Sequence, residues 1–224
     1  MSALWRVINL RLSLVGTNLC KSLRKCCYMV VEQTIITCIE SDTSIRRHSL
    51  LKGPRVTLRA FTREDLPLVW KYRTDVEVEL AGGGDPPTPI LFHQIEKEFD
   101  NCQFLFDGSF CIDVDGVCKG YAGLFHYNEL ARNCELGITI GDSTLWGQGY
   151  GRECIQLLLE YGFQMRNMNR IWLHAHAENE RGIRCYKACG FIEEGRLRKQ
   201  NWNNGHYVDD VYMGILRDEW LAIK

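Results

Sequence analysis

The chain has 224 residues, 46% of them hydrophobic and 25% charged, with a formal charge of −1 at pH 7. That length supports one sizeable core plus an appendage, because domains run roughly 100–150 residues, and so small a charge gives no sign of a nucleic-acid or other polyanionic partner. No apolar run approaches the roughly 20 residues that cross a bilayer, since Arg and Lys interrupt every candidate stretch in the first thirty positions, so no membrane-spanning segment is expected.

The 11 cysteines are scattered and odd in number, so they cannot all pair internally, and reduced thiols in a cytoplasmic compartment are expected. Cys185 and Cys189 stand four apart on a predicted helix, and His174 and His176 share one face of a predicted strand. Neither pair is joined by further ligands at metal-binding spacing, so no metal site is expected.

Residues 1–52 carry eight Arg or Lys against three Asp or Glu. They read as a basic, Cys-containing extension of unknown role, poorly ordered, with a short helix over 3–15 or a strand over 28–39 as local alternatives. The acid-free start superficially resembles a transit peptide but lacks a secretory cleavage pattern. From Gly53-Pro54 the texture changes to short alternating runs separated by turn residues, which sets the domain at 53–224. Val56 to Ala60 predicts a strand. Thr62 and Asp65 predict the start of a helix reaching Arg73. The Gly- and Pro-rich run from Ala81 to Pro89 predicts a loop, and the stretch from Val76 to Pro89 is a candidate for acceptor choice, as is the hairpin near Asn201 to Tyr207.

A helix is predicted over Ile90 to Asp100, then strands over Phe104 to Asp113, Val117 to His126 and Cys134 to Ile140, with Asp115-Gly116 as a tight turn. Apolar residues at helical spacing predict a long helix over Tyr150 to Asn167. A strand over Arg170 to Ala177, a helix over Glu180 to Ala188 stopped by Gly190, and strands over Phe191 to Arg198 and Val208 to Leu216 complete the chain. The order predicts an α+β (mixed α/β) fold.

Chemistry concentrates where a strand ends at Ile140 and a glycine-dense turn leads into the long helix. Gly147, Gly149 and Gly151 let backbone approach a ligand, while the unpaired N–H groups and positive end of the helix favour phosphate oxygens. A dinucleotide fingerprint would need glycine at Arg152, and a phosphate-binding Walker loop would need Lys and Ser or Thr after Gly151, so both are excluded. A turn that merely permits tight packing remains the bland alternative.

Three ordered segments, Glu135 to Asp142, Trp146 to Gly151 and Asn179 to Phe191, together resemble the GNAT superfamily of N-acetyltransferases, closest to its ribosomal-protein N-terminal and polyamine acetyltransferase branch. The resemblance spans about 160 residues. It implies a mostly antiparallel sheet with a splayed strand pair and helices on both faces. It also implies acetyl-CoA as co-substrate and direct transfer of the acetyl group to a primary amine: a protein or peptide amino terminus, a polyamine or another small amine.

Carried onto matching positions, the resemblance implies coenzyme contacts from Ile138, Thr139 and Ile140 on the splayed strand, and from Trp146, Gly147, Gln148, Gly149, Tyr150, Gly151 and Arg152 in the loop. Trp146 departs from the family's Gln or Arg. Asn179 either caps its helix, contacts the coenzyme, or does both. Tyr186 matches the family's proton donor to the departing thiolate and is otherwise a packing residue. Glu135 is the candidate base and is otherwise an exposed strand-end carboxylate; Asp142 reads as a turn former. A catalytically silent acyl-CoA-binding regulatory module is the alternative, and a monomer or homodimer is expected.

Overall fold

The computed structural model describes residues 49–82, 88–101 and 108–224. The readings for the extension up to residue 48, for the middle of the Gly/Pro loop and for the start of the strand at Phe104 lie outside the described residues.

The described chain begins with β1 (Ser49–Lys52) and β2 (Thr57–Arg59), an antiparallel pair whose turn is closed by the Gly53 N–H on the Val56 carbonyl at 2.8 Å. Thr62 and Asp65 form a reciprocal cap on a 3-10 turn, Arg63–Asp65, and α1 (Leu66–Arg73) follows with Pro67 in its first turn, where a missing N–H costs nothing. A helix not foreseen in the sequence, α2 (Val76–Gly82), comes next. Ala81 and Gly82, predicted as loop, are its last residues. The physical reason is Asp75, whose Oδ1 accepts from the Glu77 and Val78 N–H groups at 3.0 and 3.3 Å and so caps the helix. α3 (Phe92–Asp100) begins two residues later than predicted.

β3 (Ser109–Val114) and β4 (Val117–Asn128) are joined through Asp115 and Gly116, both at positive φ (54° and 80°), the backbone that a two-residue hairpin turn demands. β5 (Asn133–Ile140) returns antiparallel to β4. α4 (Tyr150–Glu160) continues into a π-helical turn, Tyr161–Met165, and leads to β6 (Arg170–His176). After α5 (Glu180–Ala188), β7 (Ile192–Asn203) and β8 (His206–Leu216) form a hairpin turned by Asn204 and Gly205 at φ 43° and 90°. Both strands run longer than predicted, because β7 is the edge strand and is exposed along most of its length, so no apolar alternation marks its extent. A last helix, α6 (Arg217–Ile223), was also unforeseen; Glu219 closes its start by accepting from the Leu216 N–H at 2.8 Å, and Trp220 is buried against Phe163.

The eight described strands make one sheet in the order β1-β2-β3-β4-β5-β6-β8-β7. Only β5 and β6 run parallel, as their connection through α4 requires; every other neighbour is antiparallel. Alternation along β3 shows helices on both faces. Ile112 packs with Ile155 and Leu158 of α4 in the main core, whereas the adjacent Cys111 packs with Val69 of α1. No described helix is long and apolar enough to cross a membrane.

Beneath α1 lies a buried ionic cluster. The Arg59 guanidinium donates to both oxygens of Asp65 at 2.7 and 2.9 Å and to Asp113 Oδ2 at 2.6 Å, joining β2, the 3-10 turn and β3. Asp65, Cys111 and Cys118 come close enough together to suggest metal ligation, but Asp65 is already consumed by Arg59 and the Thr62 cap, and a guanidinium at that place opposes a second cation.

Candidate active site

β5 and β6 pair only from Asn133 to Glu135, opposite Arg170 to Trp172, and then part. Beyond that point Ile138, Thr139 and Ile140 keep only β4, through Ala122, Tyr121 and Gly120. The parting is the splay that the resemblance implies. Trp146 steadies the free end by donating its indole N–H to the Ile140 carbonyl at 2.8 Å. The preceding turn is built by Asp142, which accepts from Lys119 Nζ at 2.8 Å and from Thr144 Oγ1 and N at 2.6 and 3.1 Å. Those partners, Lys119 first, hold its carboxyl below the usual carboxylate range.

The loop glycines have different reasons for being glycine. Gly147 and Gly149 sit at φ 75° and 88°, which a side chain resists. Gly151 has an ordinary backbone, yet a Cβ there would meet nothing nearer than Cys185 Sγ at 4.0 Å, and one on Gly147 would meet nothing within 4 Å. By contrast, a Cβ on Gly141 would lie 2.1 Å from the Tyr72 ring, and one on Gly162 2.6 Å from Ile171. Packing therefore explains Gly141 and Gly162 but not Gly147 or Gly151; their missing side chains leave open a cradle.

That cradle forms one wall of a cavity of about 390 Å³, to which Ile138, Thr139, Ile140, Trp146, Gly147, Gly149, Gly151, Arg152, Asn179 and Tyr186 all contribute. Gln148 and Tyr150 face elsewhere: the Gln148 carbonyl accepts from Arg55 at 3.0 Å, its amide reaches the Thr144 carbonyl, and the Tyr150 ring lies 4.5 Å beneath the Arg55 guanidinium. Glu153 turns the same way, accepting from the Arg55 and Val56 N–H groups at 2.7 and 2.8 Å. The sequence reading missed Arg181, Arg184 and Cys185 of α5, whereas Val78 and Ala81 of α2, which also border the cavity, fall within the Val76 to Pro89 stretch singled out for acceptor choice. Arg181, Arg184 and Cys185 share a face with one another at spacings of three and four, but none stands three or four positions from Asn179 or Tyr186, so the motif residues alone did not point to them. Arg181 lies 3.9 Å over the Trp146 ring and has its pKa lowered by burial.

Asn179 caps α5, its Oδ1 accepting from the Gly182 N–H at 2.9 Å, while its residue also borders the cavity. Tyr186 is 9% exposed and packs edge-on to Phe191 at 6.1 Å; burial pushes its phenol above the ordinary value. Glu135 is not the exposed carboxylate of the bland alternative. It is 5% exposed, sits where β5 and β6 part, and lies outside the cavity wall. His126 Nδ1 is 2.7 Å from one of its oxygens and His174 Nε2 3.2 Å from the other. Burial pushes this carboxyl up, but the hydrogen bonds to His174 and His126 outweigh it and hold the group below its usual range. His174 reaches Asp210 Oδ2 at 3.0 Å through its other nitrogen, and its pKa is raised, by Glu135 first.

A family model for the acetyltransferase (GNAT) domain matches residues 55–192. The chain is 29% identical over 172 residues to spermidine N(1)-acetyltransferase of Vibrio cholerae, covering 75% of this chain and 96% of that protein. It is equally 29% identical over 170 residues to the Escherichia coli enzyme of the same name, covering 75% of this chain and 89% of that one. The crystal structure of spermidine N-acetyltransferase from Vibrio cholerae in complex with CoA and spermine superposes with a TM-score of 0.67 at 28% identity, covering 75% of this chain and 99% of that one. A split parallel strand pair, a glycine-lined helix start and a matching family model converge: the chain belongs to the GNAT acetyltransferases. It is an N-acetyltransferase that uses acetyl-CoA as co-substrate and an amine as acceptor.

Proposed function

We propose that the acceptor is a polyamine or a similar small polycationic amine, and that the cavity between the glycine loop and α5 receives the coenzyme. One observation carries the reading: the gap between β5 and β6 adjoins a cavity walled by the Gly147–Gly151 cradle and by Tyr186. Main-chain N–H groups at the start of α4 hold the phosphates, with Arg152, Arg181 and Arg184 as cationic neighbours. The exposed backbone of Ile138 to Ile140 takes the pantetheine arm as a further strand and polarises the thioester carbonyl.

An ammonium cannot attack until it loses a proton. Glu135 is the proposed acceptor of that proton; kept ionised by His126 and His174, it holds the proton briefly and returns it to solvent beside the exposed His126 ring. Tyr186 gives a proton to the leaving thiolate. The polycationic acceptor is supported by the names of the relatives and by α2, which borders the cavity through Val78 and Ala81 and carries Glu77 and Glu79. Residues up to 48 stay, in this reading, an extension, and the catalytic domain expected over 53–224 is lengthened at its start by β1 (Ser49–Lys52), which pairs with β2. The six described free thiols support a reducing, cytoplasm-like setting.

Incubation with acetyl-CoA and a panel of spermidine, spermine, aminoglycosides and peptides, read by mass spectrometry, tests the acceptor. Acetylated polyamine is the expected product, and acetylation confined to peptide amino termini would reassign it. The phosphate cradle has its own test in Gly151→Asp. The helix should tolerate Asp in its first turn, where a negative side chain is favourable, but the carboxylate meets phosphate, and the Kd for acetyl-CoA should rise roughly tenfold or more. Calorimetry showing undiminished affinity would place the phosphates elsewhere.

A further inference from the structure

Cysteine reacts as its thiolate, so surroundings and access decide which thiol matters. Of the six described cysteines, Cys111, Cys118, Cys134, Cys154 and Cys189 are buried, whereas Cys185 is half-buried and borders the cavity. Its Sγ stands 4.0 Å from the point where a Cβ on Gly151 would be, against the first turn of α4. The unpaired N–H groups and positive helix end there stabilise a thiolate as they would a phosphate. Cys189 stands one helical turn on, its N–H on the Cys185 carbonyl at 3.1 Å and its thiol donating to the Arg152 carbonyl at 3.9 Å, and Arg152 adds a nearby cation. Cys189 first and then Arg152 bring the Cys185 thiol down to about 7, whereas burial pushes Cys134 up to about 12. Arg181 and Arg184 on the cavity wall favour the approach of anionic reagents.

Taking the cavity to be the coenzyme cradle proposed above, we infer that Cys185 is a reversible thiolation site: it forms a mixed disulfide with a small anionic disulfide, and the adduct shuts the phosphate cradle. The Cys185 thiolate attacks one sulfur of the reagent, the new S–S bond forms as the old one breaks, and the second half leaves as a thiolate that solvent protonates. The disulfide reagent is reduced as Cys185 is oxidised, and a free thiol reverses the exchange. Phosphate and thiolate compete for one helix end, so bound coenzyme and thiolation exclude each other.

The test treats the full-length reduced protein with glutathione disulfide, with and without saturating coenzyme A, and maps the modified peptides by mass spectrometry. Cys185 is expected to carry the adduct, coenzyme A to slow its formation by about tenfold or more, and acetyl-CoA affinity to fall in step and return with dithiothreitol. Modification should rise to half its maximal rate near pH 7, and Cys189→Ala, which removes the neighbouring donor, should shift that midpoint upward. In Cys185→Ser the remaining turnover, whatever its level, should no longer respond to the disulfide. An unmodified Cys185 peptide, an adduct that leaves acetyl-CoA affinity unchanged, or labelling indifferent to coenzyme A would each overturn the inference while leaving the cradle intact. Failure of the untreated protein to bind acetyl-CoA would remove the cradle and the inference together.

Discussion

Replacing Tyr186 by Phe should lower turnover by about a hundredfold, the lower end of what a positioned general acid contributes, while acetyl-CoA affinity stays within about twofold. The substitution deletes one hydroxyl and keeps the ring that packs against Phe191, so the core loses little volume. Among the described residues the phenol has no hydrogen-bond partner in the fold to strand. Burial holds its proton more firmly than an ordinary phenol does, which keeps the group in acid form at neutral pH. A thiolate leaving into the same poorly solvated cavity has its own proton affinity raised from about 8.5, which narrows the gap between donor and acceptor. Steady-state kinetics with acetyl-CoA titration would separate the two effects. Unchanged turnover removes the acid role, and a rise in Kd matching the loss would make Tyr186 a binding residue.

Arg59→Met should be the most damaging single change to the fold, costing about 3–5 kcal/mol, because it leaves two carboxylates buried without their cation. Arg59 is 1% exposed and Asp65 4%, so water does not replace the lost partner. Such a loss is a large part of the roughly 5–15 kcal/mol that holds a domain together. Removing Asp65 as well, as Asn, should recover part of it, giving a coupling of at least about 1 kcal/mol in a double-mutant cycle by denaturant unfolding. The acid limb should also change. Burial raises Asp65, but the Arg59 and Thr62 hydrogen bonds outweigh it and leave the folded pKa below the unfolded one. Its contribution is therefore complete above the unfolded pKa of about 3.9 and is lost as pH falls through the folded value. Additive effects of the two substitutions would deny the coupling.

Legibility differed with the physical range of the signal. Asp115-Gly116 and Asn204-Gly205 are local, and both became hairpin turns at positive φ. The glycines before Tyr150 read as a ligand-facing helix start, and the space around Gly147 and Gly151 accords with that. The helix α2 was hidden because its one local signal, the Asp75 cap, stands directly ahead of a Gly/Pro-rich run that dominates any composition window. Long-range features left no local mark. Arg59 meets Asp113 across 54 positions, and Glu135 meets His174 only because β5 and β6 lie side by side. Gln148 and Tyr150 share the loop with residues that border the cavity, but backbone direction turns them toward Arg55, which spacing alone does not reveal.

The single parallel junction of the sheet has a consequence for how this architecture tolerates change. A chain that leaves β5 and must re-enter the sheet parallel to it has to run back from the C-terminal end of β5 to the N-terminal end of β6, and α4 makes that return. Helix start and strand fork thus share the C-terminal end of β5: connectivity puts the first there, and pairing confined to Asn133–Glu135 opens the second there. Drift in the segments proposed to face the acceptor would leave that arrangement untouched, so new amine preferences could arise without relocating the proposed place of acyl transfer.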